Sequence, residues 1–409
     1  VDFNAGTIKV GENAFSIDTD TANGTGGSDG ANITIDGDII GLSATSNNTA
    51  ADISFDGGKN GVVTVQDIGH TGGTDNTEIN AVSLTGATVS TNGKINTVSN
   101  SKTDRGTVTI TGALSLAGNT TIETDTAAST GVNHLDGNIT IDGVIQGAKT
   151  LTLQSGSGNI NISDLIGNGT PLKTVAINTT TGGSNEAEGE IEIAGVGKAD
   201  LSAAGTEASA TFSVGNTNTA LITLDGDDYT FAGDATFTAA SGNTIDNKGA
   251  TGVVTDYKTL GTTDITFAGG TLYIQDATTG IKVDTSTANG EVTIASIDGD
   301  HDESVTITAG SGAVAVGRIG GSSQTTSATG DGVKTVAITS STGITLSGDI
   351  NTANATSPSV TLTGPVVISG DIDIDTNTSG TDGTLEFTST IRGTDNTANA
   401  TDNLEIDTG

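Results

Sequence analysis

The chain alternates apolar and polar residues in short runs along most of its length. Segments such as NITIDG (32–37), VTVQD (63–67) and IEIAG (191–195) place Ile or Val at every second position. This period of two predicts β-strands with one buried face. No long stretch shows helical periodicity, and Gly, Asn or Asp separates the runs, as turn residues do. The pattern therefore predicts an all-β protein built from many short strands.

The alternating pattern also recurs in long internal repeats. Residues 108–126 (VTITGALSLAGNTTIETDT) align without a gap on residues 360–378, and residues 151–167 align on 305–321 with a Gly-Ser-Gly turn in register. An acidic marker of the IDTDT type begins at residues 17, 122, 283 and 374. These features predict a first unit at 1–121 with an incomplete start, a second at 122–282, a third at 283–373 and the beginning of a fourth at 374–409. The second unit is the longest, and its extra sequence lies around residues 183–254.

Shorter similar segments inside the units help to distinguish between two possible architectures. Tandem β-sandwich domains of about 100 residues would suit the unit length. However, the markers are unevenly spaced, with a much longer interval before position 283 than after it, and the chain has no Trp. Echoes such as NITIDG, NINISD and ITLSGD are typical of successive coils in a solenoid. We therefore predict a parallel β-helix (β-solenoid) of roughly 20–25 residues per coil, with tandem β-sandwiches as the alternative.

The aligned repeats predict which side chains lie inside the solenoid. Apolar residues match at every second position of the aligned strands, so they should share the buried face. These residues are Val108, Ile110, Leu114, Leu116, Val360, Leu362, Val366 and Ile368. Gly156 and Gly310 occupy the same place in their Gly-Ser-Gly turns, and one glycine of each turn should adopt a positive φ.

Composition and charge limit the kinds of partner. The formal net charge is −35, which repels nucleic acid and anionic membranes. There is no Cys, which suits an exported bacterial protein better than a small disulfide scaffold. No apolar run is long enough for a membrane-spanning helix. We expect neither a nucleic-acid partner nor a membrane-spanning segment.

The sequence offers little catalytic chemistry. His70, His134 and His301 lie in turn-like stretches far apart, which disfavours a zinc site or a catalytic triad. A β-helix that degrades polysaccharides would need paired carboxylates beside an aromatic groove. The candidates for such a site are Asp225, Asp227 and Asp228 near Tyr229 and Phe231, and the acidic residues around His301. Repeated acidic turns are common in any acidic solenoid, so we expect no enzyme activity.

Calcium is the cofactor that the acidic turns favour most. Asp and Asn side chains with nearby backbone carbonyls suit a hard cation. The densest stretches are residues 18–30 and 296–305. They supply the candidate ligands Asp18, Asp20, Asp298, Asp300 and Asp302. No complete EF-hand loop is present, and the alternative is that this charge only maintains solubility.

Residues 137–178 (GNITIDGVIQGAKTLTLQSGSGNINISDLIGNGTPLKTVAIN) resemble the repeats of giant bacterial exoproteins. These are proteins of the filamentous-haemagglutinin-like or autotransporter-passenger-like type. The resemblance extends over most of the chain, but it lies in the general pattern of strands and turns rather than in a diagnostic motif. The resemblance implies an extracellular parallel β-helix that serves as an adhesin, a surface fibre or a surface layer. It implies no catalytic residues.

Together these features predict a non-catalytic structural segment of an extracellular, cell-surface β-solenoid, such as a fibre, stalk or surface-layer component. The alternative is an adhesin module that binds a glycan or protein receptor through the segment around 183–254. The final residues, NLEIDTG (403–409), match the opening of another repeat. We therefore expect either a window on a longer chain or a subunit that self-associates end to end, or with further repeats of the same protein.

Overall fold

The computed structural model describes most of the 409-residue chain. The described residues are 1–4, 6–11, 14–20, 30–41, 51–69, 79–97, 106–125, 136–180, 188–197, 211–275, 279–287, 289–300, 303–321, 332–352, 359–376, 383–394 and 402–408. Their regular secondary structure consists of strands alone, which confirms the all-β prediction. Because these residues form no helix, they contain none that could span a membrane.

The described chain divides into two compact units, Val1–Lys198 with Val214–Ala220 and Ala199–Ser213 with Leu221–Gly409. The repeat boundaries at 121, 282 and 373 are defined by sequence similarity and stay a prediction. The first unit contains strands β1 (Asp2–Phe3), β2 (Ile8–Val10), β3 (Phe15–Asp18), β4 (Ile33–Ile35), β5 (Ile39–Gly41), β6 (Ala51–Asp56), β7 (Val62–Val65), β8 (Ile79–Asn96), β9 (Thr107–Glu123), β10 (Ile139–Asp142), β11 (Ile145–Gln146), β12 (Thr150–Gln154), β13 (Ile160–Ile162), β14 (Thr174–Ile177) and β15 (Glu188–Ile193).

Strands β16 (Thr211–Val214) and β17 (Thr219–Leu224) each include residues of both units. The second unit then contains β18 (Asp228–Phe231), β19 (Ala235–Thr238), β20 (Thr244–Asn247), β21 (Val254–Thr259), β22 (Ile265–Ala268), β23 (Thr271–Ile274), β24 (Gly280–Asp284), β25 (Val292–Gly299), β26 (Glu303–Thr308), β27 (Val314–Ile319), β28 (Val333–Thr339), β29 (Ile344–Leu346), β30 (Ile350–Asn351), β31 (Ser359–Thr363), β32 (Val366–Ile368), β33 (Ile372–Asp375), β34 (Thr384–Phe387), β35 (Ile391–Gly393) and β36 (Leu404–Asp407).

Successive coils of the first unit stack through parallel strands in register. Val82 pairs with Val108, Val108 with Ile139, Ile139 with Ile160, and Ile160 with Ile191. One column of β-branched side chains therefore runs through several coils, which is the arrangement of a parallel β-solenoid. This confirms the predicted fold over the alternative of tandem β-sandwiches, which are built from antiparallel sheets.

The length of the coils differs from the prediction. The coil from Ile139 to Ile160 has the expected length, but the next coil, from Ile160 to Ile191, is about half as long again. The coil from Ile17 to Phe55 is longer still. The predicted coil length is therefore too short for many coils. The strands range from two to 18 residues, and the segments that connect them also vary in length. Strand alternation carries no information about the length of these connections.

The second unit repeats this architecture and adds a separate seven-stranded parallel sheet. Val292 pairs with Val314, Val314 with Ile344, and Ile344 with Val366, so aliphatic side chains again stack in one column. The seven-stranded sheet contains β18, β21, β24, β26, β28, β31 and β34 in this spatial order. Its members come from successive coils, so it forms one continuous face of this unit.

The core consists of the side chains that alternate inward. All eight residues predicted to point inward are buried, with Val108, Ile110, Leu114, Val360 and Leu362 fully so. Most of the described aromatic residues are in the core as well: the rings of Phe237 and Phe267 stack with centroids 5.1 Å apart. A narrow interior lined by two or three strands per coil is filled by Ile and Val, which explains the low aromatic content.

Glycine residues and the hydroxyl groups of serine side chains stabilise the corners between strands. Gly156 has φ +55° and Gly310 has φ +59°, which confirms the predicted positive φ in both Gly-Ser-Gly turns. In the first of these turns the Gly158 N–H donates to the Ser155 carbonyl (2.9 Å), and the buried Ser155 Oγ donates to the Gly158 carbonyl (2.6 Å). Because backbone groups at a tight corner cannot all join the strand ladder, this hydroxyl supplies the missing donor.

Candidate functional surface

The first pair of predicted calcium ligands stabilises its own turn. Asp18 ends β3, and its Oδ1 accepts a hydrogen bond from the Asp20 N–H at 2.8 Å. The neighbouring coil places Asp56 in register beside Asp18, and Asp56 Oδ1 accepts from the Gly58 N–H at 2.8 Å. Each carboxylate thus accepts a hydrogen bond from a backbone N–H group two residues further along the chain, as in an Asx turn.

The second group of predicted calcium ligands is only partly described, since Asp302 and His301 lie outside the described residues. Asp298 Oδ1 accepts from the Gly299 N–H at 3.0 Å, and its Oδ2 is 3.7 Å from Arg318 Nη2. Burial raises the pKa of Asp298. Burial, followed by the nearby Asp300 carboxylate, raises the pKa of Tyr273 to about 12. Among the residues described, no three His, Cys, Asp or Glu side chains form a group that could hold a metal ion. Calcium binding therefore stays a prediction.

The aromatic residues that the sequence placed beside an acidic cluster face the interior. Tyr229 is fully buried and stacks on Tyr257, with ring centroids 4.9 Å apart, and its hydroxyl accepts a hydrogen bond from the Gly226 N–H at 2.9 Å. Phe231 is also buried and packs against Phe237. These rings cannot line a substrate groove. The adjacent Asp227 accepts from the Ala250 N–H at 2.6 Å, so it too stabilises a turn. His70 and His134 lie outside the described residues.

A buried carboxylate cluster was missed by sequence reasoning. Asp125 and Asp136 lie on either side of the connection between β9 and β10, and Glu188 begins β15 in another coil of the first unit. Asp136 and Glu188 are almost completely buried. Burial, then the charges of Asp136 and Glu188, raises the pKa of Asp125 to about 6. Asp136 Oδ2 accepts from both the N–H and the Oγ of Ser157, each at 2.9 Å. No local motif marks this cluster, because only the stacking of coils brings Glu188 close to the two aspartates.

Two lysines form ion pairs with carboxylates on the outer face of the seven-stranded sheet. Lys258 Nζ is 3.2 Å from Asp256 Oδ2 and 3.4 Å from Asp228 Oδ1. Lys282 Nζ is 3.0 Å from Asp284 Oδ2 and 3.9 Å from Asp256 Oδ1. Because neighbouring strands are in register, each lysine reaches carboxylates on its own strand and on an adjacent one.

Beyond these lysines, the same outer face becomes almost entirely uncharged. The paired residues on the outer side of β26, β28, β31 and β34 form what we call the hydroxyl face. It consists of Ser304, Thr306, Thr308, Thr335, Ala337, Thr339, Ser359, Thr361, Thr363, Thr384 and Glu386. The strands pair in register, so the side chains form ordered ranks, in which only Glu386 carries a charge. Lys334 lies in a bulge at the start of β28, outside these ranks.

Comparison of the chain with models of protein families, with characterised proteins and with solved structures gives no match.

Proposed function

We propose that the chain is a non-catalytic structural segment of an extracellular bacterial surface protein, in which the β-solenoid forms part of a fibre, stalk or surface layer. The resemblance of residues 137–178 to the repeats of giant bacterial exoproteins supports this role. The role requires a scaffold that extends by repetition, presents a soluble surface and needs no reactive centre.

The observation that carries the proposal is the continuous in-register stacking of buried aliphatic residues from coil to coil. The column Val82, Val108, Ile139, Ile160 and Ile191 is one example. Each coil contacts only its neighbours, and every strand pair contributes ladder hydrogen bonds. Such a scaffold gains stability with each added coil and resists local deformation, which suits a mechanical or spacing role.

The position of the aromatic residues favours a structural role over a glycan-binding module. In the described part of the segment around 183–254, Phe212, Tyr229, Phe231 and Phe237 are all buried. Carbohydrate-binding surfaces usually present exposed aromatic rings because the rings stack on sugars while their polar edges form hydrogen bonds. The acidic outer residues of this segment, such as Asp227 and Asp228, are engaged in turns and ion pairs.

Surface labelling of cells that produce the protein tests the proposal. Antibodies against the purified chain should label intact cells as strongly as permeabilised ones, and electron microscopy of the labelled material should show fibres or a lattice. An antibody against a cytoplasmic protein of the same cells provides the control for permeability. Labelling that requires permeabilisation would overturn the extracellular assignment, and a depolymerase activity of the purified chain would overturn the structural role.

A further inference from the structure

Several connections between strands are closed by the hydroxyl group of a serine or threonine. This residue directly follows a strand, and its hydroxyl donates a hydrogen bond to the backbone carbonyl of the residue two positions before the next strand. The pairs are Thr19 with Ala31 (2.8 Å), Thr124 with Gly137 (2.5 Å), Ser155 with Gly158 (2.6 Å) and Thr285 with Gly290 (2.6 Å). We call each such pair a corner clamp.

The corner clamp has the same geometry in connections of very different length. Thr124 and Gly137 are 13 positions apart in the sequence, whereas Ser155 and Gly158 are 3 positions apart. The distance between the hydroxyl oxygen and the carbonyl oxygen is nevertheless 2.5 Å in the first pair and 2.6 Å in the second. The two ends of the connection therefore meet in the same way in a short turn and in a long segment.

These two clamps lie at the same corner of adjacent coils. Ile122 pairs with Leu153 before the corner, and Ile139 pairs with Ile160 after it. The strands thus reach and leave the corner in register, although one connection is much longer than the other. The stacking of these coils does not depend on the length of the chain between the strands.

Glycine at the second position of the clamp lets successive coils approach closely. A Cβ on Gly137 would collide with the Gly106 carbonyl oxygen, and a Cβ on Gly158 would collide with that of Gly137. A Cβ on Gly189 would likewise collide with the Gly158 carbonyl oxygen. The chain therefore re-enters each of these coils at a position that has no room for a side chain. This close contact fixes the second end of the connection, as the hydroxyl bond fixes the first.

Burial makes the hydroxyl bond important for the stability of the corner. Thr124 and Ser155 are both buried, and so are the glycines to which they donate. A carbonyl that lost this bond would be left in the interior without its partner, which is costly. The Thr124 N–H also continues the strand ladder, since it donates to the Gln154 carbonyl at 2.9 Å. With both ends held, a longer connection adds only the entropy of loop closure, which increases slowly with length.

We infer that the corner clamps are insertion sites, at which the solenoid carries added peptide segments along its edge without a change in its coils. A clamp accepts a segment because both of its ends belong to the coil and neither depends on the residues between them. The coils then set the spacing of the segments, at about 4.8 Å per coil. This function goes beyond the proposed structural role, since the scaffold presents segments as well as maintaining a distance.

Insertion into the shortest clamp tests the inference. A flexible segment of about ten Gly and Ser residues is placed between Gly156 and Ser157 of the full chain, and hydrogen exchange is measured at the amides of β12 and β13. We expect exchange to become faster by no more than about tenfold, which is the entropic effect of lengthening the connection.

The matched control is the same insertion between Gly143 and Val144. These residues connect β10 to β11, and the described residues form no corner clamp there. The Val144 carbonyl accepts a hydrogen bond from the Leu114 N–H at 2.8 Å, so inserted residues would disturb a bond between coils. We expect exchange in β10 and β11 to become faster by at least about thirtyfold.

The variant Ser155→Ala distinguishes a clamp from an ordinary turn. Ala309 occupies the equivalent place in the second Gly-Ser-Gly turn, where the Gly312 N–H donates to its carbonyl at 2.8 Å, so a short turn tolerates the loss of the hydroxyl. Ser155→Ala alone should therefore make exchange faster by no more than about fivefold. In the insertion variant the short turn is absent, and the same substitution should have an effect of at least about thirtyfold. Thr152→Ala, on the outer side of β12, is the control and should have the same small effect in both backgrounds.

The native long connection provides a second test. Thr124→Val removes the hydroxyl and keeps the shape of the side chain. We expect at least about tenfold faster exchange at the Ile139 amide, which donates to the Asn159 carbonyl at 2.9 Å just after the clamp. Thr121→Val, at an outward-facing position of β9, should change this rate by less than about threefold.

Several results would overturn the inference. These are equal exchange in the two insertion variants, an equal effect of Ser155→Ala with and without the insertion, or similar effects of Thr124→Val and Thr121→Val. An insertion between Gly156 and Ser157 that prevents folding, as judged by circular dichroism, would overturn it as well. All of these measurements use the purified chain, so failure of this inference is distinguishable from failure of the proposed function.

Discussion

Gly269 shows how closely successive coils approach at the scale of one residue. It has φ +78°, and a Cβ at this position would collide with the Ala239 carbonyl oxygen of the neighbouring coil. Gly242 has a similar φ of +86°, but no atom lies within 4 Å of its Cβ position. The two glycines therefore share the same backbone constraint and differ in the space available for a side chain.

We expect Gly269→Ala to destabilise the protein more than Gly242→Ala. Both substitutions force an alanine into the left-handed region, at a cost of about 1 kcal/mol. Gly269→Ala should add roughly 1–3 kcal/mol because the neighbouring backbone must shift. Urea denaturation measures both variants against the wild type. Equal midpoints for the two variants would contradict the close stacking of these coils.

Asp125 makes stability depend on pH. Its pKa is raised from 3.8 to about 6 in the folded state by burial and by the charges of Asp136, Glu188 and Glu123. The folded protein therefore holds a proton at pH values where the unfolded chain has lost it. Stability contributed by this proton is fully present below pH 3.8 and is lost as the pH rises through about 6.

Asp125→Asn should remove this dependence. We expect the variant to be more stable than the wild type above about pH 6, because the wild-type carboxyl is then charged in a buried, acidic environment. The difference should be on the order of 1–2 kcal/mol, since the carboxyl is only partly shielded from water. The difference should vanish near pH 4. Unfolding free energies at pH 4, 5 and 7 test this, with Asp36→Asn at an exposed position as the control for net charge. A constant difference at all three pH values would contradict the assignment.

At the scale of elements, the aromatic group on β18, β19 and β22 anchors part of the second unit. Phe237 is fully buried, and its ring lies 5.1 Å from that of Phe267 and 6.0 Å from that of Phe231. Phe237→Ala should cost about 3–5 kcal/mol through lost burial and a cavity. Phe237→Leu should cost much less. Thr236→Ala, on the outer side of the same strand, should change stability by no more than about 0.5 kcal/mol. Similar losses for Phe237→Ala and Thr236→Ala would indicate that the register of β19 is wrong.

The strands and their buried faces could be predicted from sequence, whereas the partners of each strand could not. Val108 alternates with polar residues, and this local pattern is sufficient to identify the inward side. The pairing of Ile160 with Ile139 on one side and Ile191 on the other depends on connections of unequal length, which follow no period. Glu188 joins Asp125 and Asp136 only through the stacking of coils, so the sequence did not predict this carboxylate cluster. The sequence offered Tyr229 only as a candidate beside an acidic cluster, and its burial could not be predicted because the ring that it stacks on, Tyr257, comes from another coil.

At the scale of the whole molecule, the net charge of −35 predicts a response to divalent cations. Calcium should raise the melting temperature or promote association, because it screens and bridges carboxylates more effectively than monovalent salt. The measurement is thermal melting and sedimentation with calcium, after chelation, and with sodium chloride at equal ionic strength. Identical behaviour in all three conditions would exclude calcium as a structural partner.

The parallel stacking of coils is the central claim, and one distance tests it most directly. Ser83, Thr109, Thr140, Asn161 and Glu192 occupy one outer rank, with each residue paired in register to the next. The chain has no Cys, so spin labels on Ser83→Cys and Glu192→Cys report on these sites alone. Four strand steps of about 4.8 Å predict a narrow distance distribution near roughly 20 Å between two sites that are far apart in sequence. A broad distribution, or one centred beyond about 35 Å as expected for separate domains in tandem, would contradict the solenoid.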